Sequence, residues 1–516
     1  MLYLDIVTHS YEGWARSPLG GRSAAEVSAY LIVSGFAWGI VRAIYLLYFH
    51  PLASFPGPYQ AIFSTWWLYA VSKSGQTEEV LEQLHKKYNT RALRIGPNEL
   101  HITDPGLYHT IYSQRHTYTK QQYFYDAFNT PHSVFVETDP NLHRVRRKML
   151  SNFFSKMSIR SMEGILASKI QLLCKRLSET KGDGPINLYH AFRCLTADFI
   201  TEVAFGESYN LLIKAEDNTF NTPFLGAFDL ASDSLWALMY FPILRIIVNN
   251  TPPVVAAKLS RSAAGYQGLV RAVADTIASF RRFKSSGKSL DHEVVFDSMS
   301  HLEDKVLNGE ATDILVAGSD TTATTLAISI QEMIKSPNIL KRLKDELKEA
   351  EIATEQDCKL VKLEQLPYLT ACVKEAMRYA MAVPGRLPRV VPNGAEPLII
   401  DGKVVPAGAI VGMSVYTMHS DKSIWGQDAK SFNPDRWQIG DAKELDKYLV
   451  TFSKGARQCL GINLAYAEVT LTLAMLANRF HFTFDETLKK SDLKRVDNFT
   501  MGFEGAGLCV VVHEDN

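Results

Sequence analysis

One cysteine-centred string constrains this chain more than any other stretch: Phe452-Ser453-Lys454-Gly455-Ala456-Arg457-Gln458-Cys459-Leu460-Gly461. Physically, it is a loop that sets one sulfur at the start of a buried helix. Gly455 and Gly461 allow backbone conformations closed to other residues and a close approach to whatever lies above. The following segment, 460–480, carries Ala, Leu, Val and Met on most faces, and a helix apolar nearly all round is a buried one. Cys459 therefore stands at or just before a helix N-terminus. There the macrodipole favours thiolate over thiol, and Arg457 adds positive charge. Taken alone, such a cysteine is more often a small core residue; a thiolate held rigidly beside a basic residue suits metal ligation.

The pattern Phe-x-x-Gly-x-Arg-x-Cys-x-Gly resembles the heme-binding signature of the cytochrome P-450 family. The resemblance implies that Cys459 is the proximal ligand of heme b iron, with Phe452, Arg457 and Gly461 framing the cofactor. A thiolate in that role pushes electron density through the iron and favours O–O cleavage.

Length and composition bound the rest. At 516 residues the prior is about three domains, yet no Gly/Ser-rich or Pro-rich linker divides the chain and no repeat is present, so a single large domain with an N-terminal anchor fits better. Lys+Arg and Asp+Glu both number 55, which gives no footing for nucleic acid. Cysteines 174, 194, 358, 372, 459 and 509 lack CxxC spacing and point to a reducing compartment.

Residues 27–49 form a nearly uninterrupted apolar run, long enough to span a hydrocarbon core of about 20 residues. Arg42 near its end can snorkel to the interface, and Trp38, Tyr45 and Tyr48 are suitable interface aromatics. The long polar lead argues against a signal peptide. His50-Pro51 through Pro56-Gly57-Pro58 then stops the helix, and resembles the hinge of membrane-anchored family members. By resemblance the chain divides into a lumenal lead (1–26), a single transmembrane anchor (27–49), a hinge (50–58) and a catalytic domain (59–516). The anchor would lie in the endoplasmic reticulum with the catalytic domain cytosolic, leaving the sequons at Asn249 and Asn498 unglycosylated.

Residues 78–88 read as an amphipathic helix, and 93–102 as two short strands around a Gly-Pro turn. The aromatic-rich loop 120–138 overhangs the substrate in the family. His143 and Arg147 stand four apart on one helical face. They occupy the place of the family's Trp-x-x-x-Arg, which bonds a heme propionate, with a histidine whose charge depends on pH. Arg144, Arg146 and Lys148 project elsewhere as a basic patch, readable as a solvated face or as a dock for an electron-donor protein. The apolar stretch 235–248 is too short and interrupted to span a membrane.

The run Glu310 to Ile328 reads as a long helix with a local conflict. It holds Gly318 and four threonines in five residues, all poor helix formers. Such inconsistency tends to mark function: Gly318 lets the helix approach a flat ligand, and a threonine hydroxyl can bond a carbonyl one turn back and open a notch. The string Ala317-Gly318-Ser319-Asp320-Thr321-Thr322 again matches the family. That match implies that Thr321 stabilises dioxygen at the heme while Asp320 relays protons. Thr324 and Thr325 are expected to bond their own backbone.

Residues 363–381 read as a helix carrying Glu375 and Arg378, and Phe432-Asn433-Pro434-Asp435-Arg436-Trp437 precedes the cysteine loop. The combination matches the family's Glu-x-x-Arg and Phe-x-Pro-x-Arg motifs and implies a structural charge network of Glu375, Arg378 and Arg436. By the same resemblance Arg389 and Arg457 bind heme propionates, where a fixed guanidinium suits a carboxylate. Positions 382–384 and Phe503 would line an apolar substrate pocket.

These motifs follow family order across the whole chain. The expected fold is mainly α, with small β-sheets and one N-terminal transmembrane helix. The expected activity is a heme-thiolate monooxygenase that uses O2 and NADPH-derived electrons on a lipophilic secondary metabolite. The string from Leu142 to Ser155 resembles the fungal branch that includes trichodiene oxygenase, which points to a terpenoid. Implied partners are NADPH–cytochrome P-450 reductase and cytochrome b5. The alternatives are a redox-neutral heme-thiolate isomerase or dehydratase, and a non-catalytic heme sensor.

Overall fold

A computed structural model describes residues 23–114, 118–180, 184–286, 292–394, 396–440 and 442–515. Most of the N-terminal lead, with Arg16 and Arg22, lies outside them. Nine helices organise the site: α1 (Ala24–Ile44), α2 (Thr77–Tyr88), α3 (Pro140–Ser151), α4 (Leu188–Phe205), α5 (Pro223–Ser232), α6 (Arg261–Ser285), α7 (Asp304–Lys335), α8 (Pro367–Ala380) and α9 (Ile462–Arg479). Five short strands form the main sheet: β1 (Ala92–Gly96), β2 (Glu99–Ile102), β3 (Thr119–Lys120), β4 (Arg389–Val390) and β5 (Ile410–Gly412). Their order is β1-β2-β5-β4-β3, with β2 and β5 parallel and the other pairs antiparallel. The mainly α architecture with small sheets is the one expected.

Helix α1 begins three residues before the expected anchor boundary, because Ser23 and Glu26 form a reciprocal capping box. It continues through a π-helical turn, Tyr45–Phe49, until His50-Pro51 ends it. Its apolar side chains, among them Leu31, Ile32, Phe36 and Trp38, are exposed, and the 25-residue apolar span Ala25–Phe49 is long enough to cross a membrane. Arg42 does not snorkel freely. It donates to the Phe63 carbonyl at 2.9 Å and lies over the Trp38 ring. The hinge is packed rather than loose: Leu52 and Phe55 are buried, and Arg94 donates to the carbonyls of Leu46 and Pro97. A Cβ on Gly57 would stand 2.1 Å from the Arg94 carbonyl oxygen, so only glycine admits this contact.

The central layer is α7, a 32-residue helix whose stretch from Thr322 to Gln331 is buried all round. It packs between α4 and α9 in one continuous apolar core. It comes close to α4 at Gly318, where a Cβ would meet Ile200 at 2.6 Å. The missing side chain of Gly318 thus admits a neighbouring helix. Cross-links stiffen the layer, since Thr322 donates to Glu468 on α9 and Thr324 to the carbonyl of Met501. Thr324 thus leaves its own backbone, contrary to expectation, while Thr325 bonds the Thr321 carbonyl as expected.

Candidate active site

The cysteine loop is held from two directions. The amide of Cys459 donates to the carbonyl of Phe452 at 2.9 Å, closing the loop on itself, and the Phe452 ring packs on Tyr466 of α9. Gly455 has φ +74°, and a Cβ there would sit 2.5 Å from the Tyr112 carbonyl, so the expectation for this glycine holds in full. Gly461 differs: at φ −83° it has ordinary backbone geometry. The six cysteines divide sharply, with four buried, Cys509 intermediate and Cys459 alone exposed. Desolvation by the protein packed around this open position pushes the thiol up; the amide of Gly461 and the Arg147 guanidinium pull it back. The cation near the sulfur is therefore Arg147, not Arg457, and the helix terminus alone does not make a thiolate.

Cations converge above that sulfur. Arg147 donates to the Gln458 carbonyl at 2.7 Å. Arg457 donates to the carbonyls of Glu137 at 2.6 Å and Thr138 at 3.2 Å. Arg389, on β4, donates to the Tyr125 hydroxyl at 2.8 Å and stacks over the Tyr112 ring. His143 is buried on α3. To these the structure adds Lys120, which the sequence reading placed only at the edge of an aromatic loop. It is buried, donates to the Phe135 carbonyl, and lies over the rings of Tyr125 and Phe135. Burial and mutual repulsion pull Lys120 well below the usual lysine range, His143 down to about 3 and Arg457 down to about 10. A histidine so placed is neutral at physiological pH until an anion joins it.

Buried cations persist only when paired. The acids that act on this group are Asp313, Glu137 and Asp139, and Glu137 is already ion-paired with Arg146. A ligand bearing two carboxylates would balance the set, and an exposed sulfur lies beside Arg147. The residues thus fit heme: Cys459 for iron, and Lys120, His143, Arg147, Arg389 and Arg457 for the propionates. Replacing Lys120 by methionine should speed heme loss to an apoglobin acceptor about tenfold, as expected for one charge-assisted hydrogen bond. An unchanged rate would remove Lys120 from the set. The pairing of Arg146 also revises the basic patch of α3, which retains only Arg144 and Lys148 as outward cations.

On α7, Ala317 is exposed although it lies midway along a core helix, and Thr321 follows one turn later. The Thr321 hydroxyl donates to the Ala317 carbonyl at 2.9 Å, the bond one turn back expected from sequence. Asp320 is not free. Its carboxylate lies 2.7 Å from the Arg193 guanidinium and accepts from the Thr500 hydroxyl at 3.0 Å. Arg193 in turn holds Asp229 of α5 through two bonds of 2.7 and 3.1 Å, and Asp229 is 56% exposed. Asp320 is thus joined to the surface through one buried guanidinium. Sequence reasoning missed Arg193, whose signal is an isolated cation in the otherwise apolar face of α4. Phe503 packs against Tyr189 at 5.0 Å.

Glu375, Arg378 and Arg436 form the expected network. Arg378 makes a two-bond pair with Glu375 at 2.8 and 2.7 Å and donates to the carbonyls of His419, Ala429 and Ser431. Glu375 also accepts from Arg436 at 3.1 Å, the Trp437 indole at 3.0 Å and the Asn433 amide at 2.8 Å. His419 carries the network onward: it contacts the Arg378 carbonyl and accepts from the Val450 amide at 3.0 Å, two residues before Phe452.

Comparison with known proteins agrees with this geometry. The family model for cytochrome P-450 matches residues 56–510. The chain is 33% identical to cytochrome P-450 monooxygenase macH of Penicillium terrestre over 96% of this chain and 99% of that protein. It is 32% identical to cytochrome P-450 monooxygenase aflU of Aspergillus parasiticus over 88% of this chain and 92% of that protein. It is 33% identical to cytochrome P-450 monooxygenase astB of Aspergillus terreus over 90% of this chain and 93% of that protein.

Proposed function

The chain belongs to the cytochrome P-450 family, and from that premise we propose that it inserts one oxygen atom of O2 into a lipophilic, terpenoid secondary metabolite. It is a heme-thiolate monooxygenase that needs a redox partner. Electrons come from NADPH through a cytochrome P-450 reductase, with cytochrome b5 as a second donor, at the cytosolic face of the endoplasmic reticulum. The observation that supports this reading most is the buried set of cations gathered beside one exposed cysteine.

Heme held there supplies the activation of dioxygen. The chain's own residues do the rest. Cys459 donates electron density from its sulfur. The apolar walls and the cross-linked α7–α9 layer exclude bulk water. The Thr321 Oγ1, anchored on the Ala317 carbonyl, presents a hydroxyl on the distal side. Asp320 is the carboxylate through which a proton from solvent would reach that side of the site, and Arg193, which stays protonated and carries no proton itself, fixes Asp320 and the solvent-facing Asp229 in place. Retention of the Asp320–Thr321 pair favours oxygen insertion over a redox-neutral rearrangement.

The test is consumption of O2 and NADPH with a reductase supplied, stimulated by a terpenoid panel. Absence of both would favour the isomerase or sensor reading. Thr321→Ala should keep consuming NADPH while product per NADPH falls several-fold and peroxide rises in its place; unchanged coupling would count against the assigned hydroxyl.

A further inference from the structure

Asp313 stands two turns before Thr321 on α7, in the series 313, 317, 321 that recurs at helical spacing along one face. Ala317 is exposed, and Asp313 and Thr321 are partly so, which marks this face as the cavity wall. The loop 129–136 reaches this face because of Gly309, where a Cβ would meet the Pro131 carbonyl at 2.6 Å. That contact sets the hydroxyls of Thr130 and Ser133 beside the Asp313 carboxyl. The neighbouring acid, Glu310, is already used, since it accepts from the Val134 amide at 2.9 Å. Asp313 is used only in part: the Thr130 and Ser133 hydroxyls and the Lys120 charge act on its carboxyl, yet its Oδ2 takes no hydrogen bond. Tyr266, whose hydroxyl accepts from Asn129 at 2.9 Å, completes a small polar corner near it. A buried acceptor without a partner is costly, and in an apolar cavity such a group fixes ligand orientation.

We propose that Asp313 is a specificity-determining residue whose carboxyl hydrogen-bonds a hydroxyl group on the substrate, so that the enzyme acts on a lipophile that already carries oxygen. This rests on the heme-thiolate reading above. Burial raises Asp313 to about 7, so that near neutrality the group can donate as well as accept, which suits a hydroxyl better than an ammonium. An upstream oxygenation or hydration must then supply the substrate.

The probes are 1-alkylimidazoles and 1-(ω-hydroxyalkyl)imidazoles of matched length, bound to the full-length holoenzyme and read by the Soret shift as imidazole nitrogen meets iron. In the wild type, one chain length should favour hydroxyl over methyl by about tenfold relative to shorter and longer chains. Asp313→Ala and the shape-conserving Asp313→Asn should remove or shrink that preference. Because the readout is a ratio within each variant, general loosening of loop 129–136 cancels. An equal ratio at every length in the wild type would overturn the proposal, as would a preference unchanged in both variants. A stronger preference for an ω-ammonium probe would overturn the hydroxyl assignment. Failure of the heme-thiolate reading is distinct: imidazole itself would give no shift.

Discussion

Replacing Glu375 by glutamine should leave a protein that retains no heme and unfolds well below the wild type. The substitution removes one negative charge from a site where two guanidiniums, those of Arg378 and Arg436, are buried against it. Removing one partner of a buried pair costs roughly 3–5 kcal/mol, because the other charge stays buried and uncompensated. A domain's whole stability is about 5–15 kcal/mol. The damage also travels. Arg378 ties the carbonyls of His419, Ala429 and Ser431, and His419 receives the Val450 amide. A loosened Arg378 therefore frees the strand of chain that leads into Phe452 and Cys459. Thermal unfolding and heme content measure the two effects separately. Glu375→Asp, which keeps the charge, should fall between; a Glu375→Gln protein with wild-type heme content would refute the network's role.

That network was legible before the structure because its members are close in sequence or sit in rigid local motifs: a three-residue helical spacing, then a proline-fixed turn. The cysteine loop and the long apolar N-terminal helix were legible for the same reason. Lys120, Arg193 and Asp313 were not, since each acquires meaning only from a partner on another element. Lys120 meets Arg147 and Arg457 through β3, α3 and the cysteine loop. Arg193 meets Asp320 across the α4–α7 contact that Gly318 permits, and Asp313 meets Thr130 and Ser133 across the contact at Gly309. Each of these glycines is a visible hint, but the sequence does not say which backbone approaches it. Local reasoning also misplaced charges it could see. Arg457 precedes Cys459 by two residues yet points to the carbonyls of Glu137 and Thr138, while Arg147, more than three hundred residues upstream, lies near the sulfur.

Cysteine 459 replaced by alanine should abolish the red-shifted Soret band of the carbon-monoxide-bound reduced protein, and with it all oxygen insertion. No other cysteine can substitute. Cys174, Cys194, Cys358 and Cys372 are buried in the apolar core, and burial raises every one of their thiols, Cys194 and Cys358 to about 12, while burial and the nearby Asp485 and Asp492 carboxylates raise the half-buried Cys509. A thiolate, not a thiol, ligates metal, and those sites resist ionisation. Cys459 is also raised by desolvation, but it is open to a ligand and it alone has a backbone amide, that of Gly461, directed at the sulfur beside the Arg147 guanidinium, so iron binding can displace its proton. Heme content need not vanish in the variant. Lys120, Arg147, Arg389 and Arg457 remain to hold the propionates, so bound heme with an ordinary Soret position is the expected outcome. Persistence of the red-shifted band would mean that a different sulfur binds the iron and would undo the assignment of this site; loss of the band together with retained heme would separate the sulfur's electronic role from the cations' role in retention.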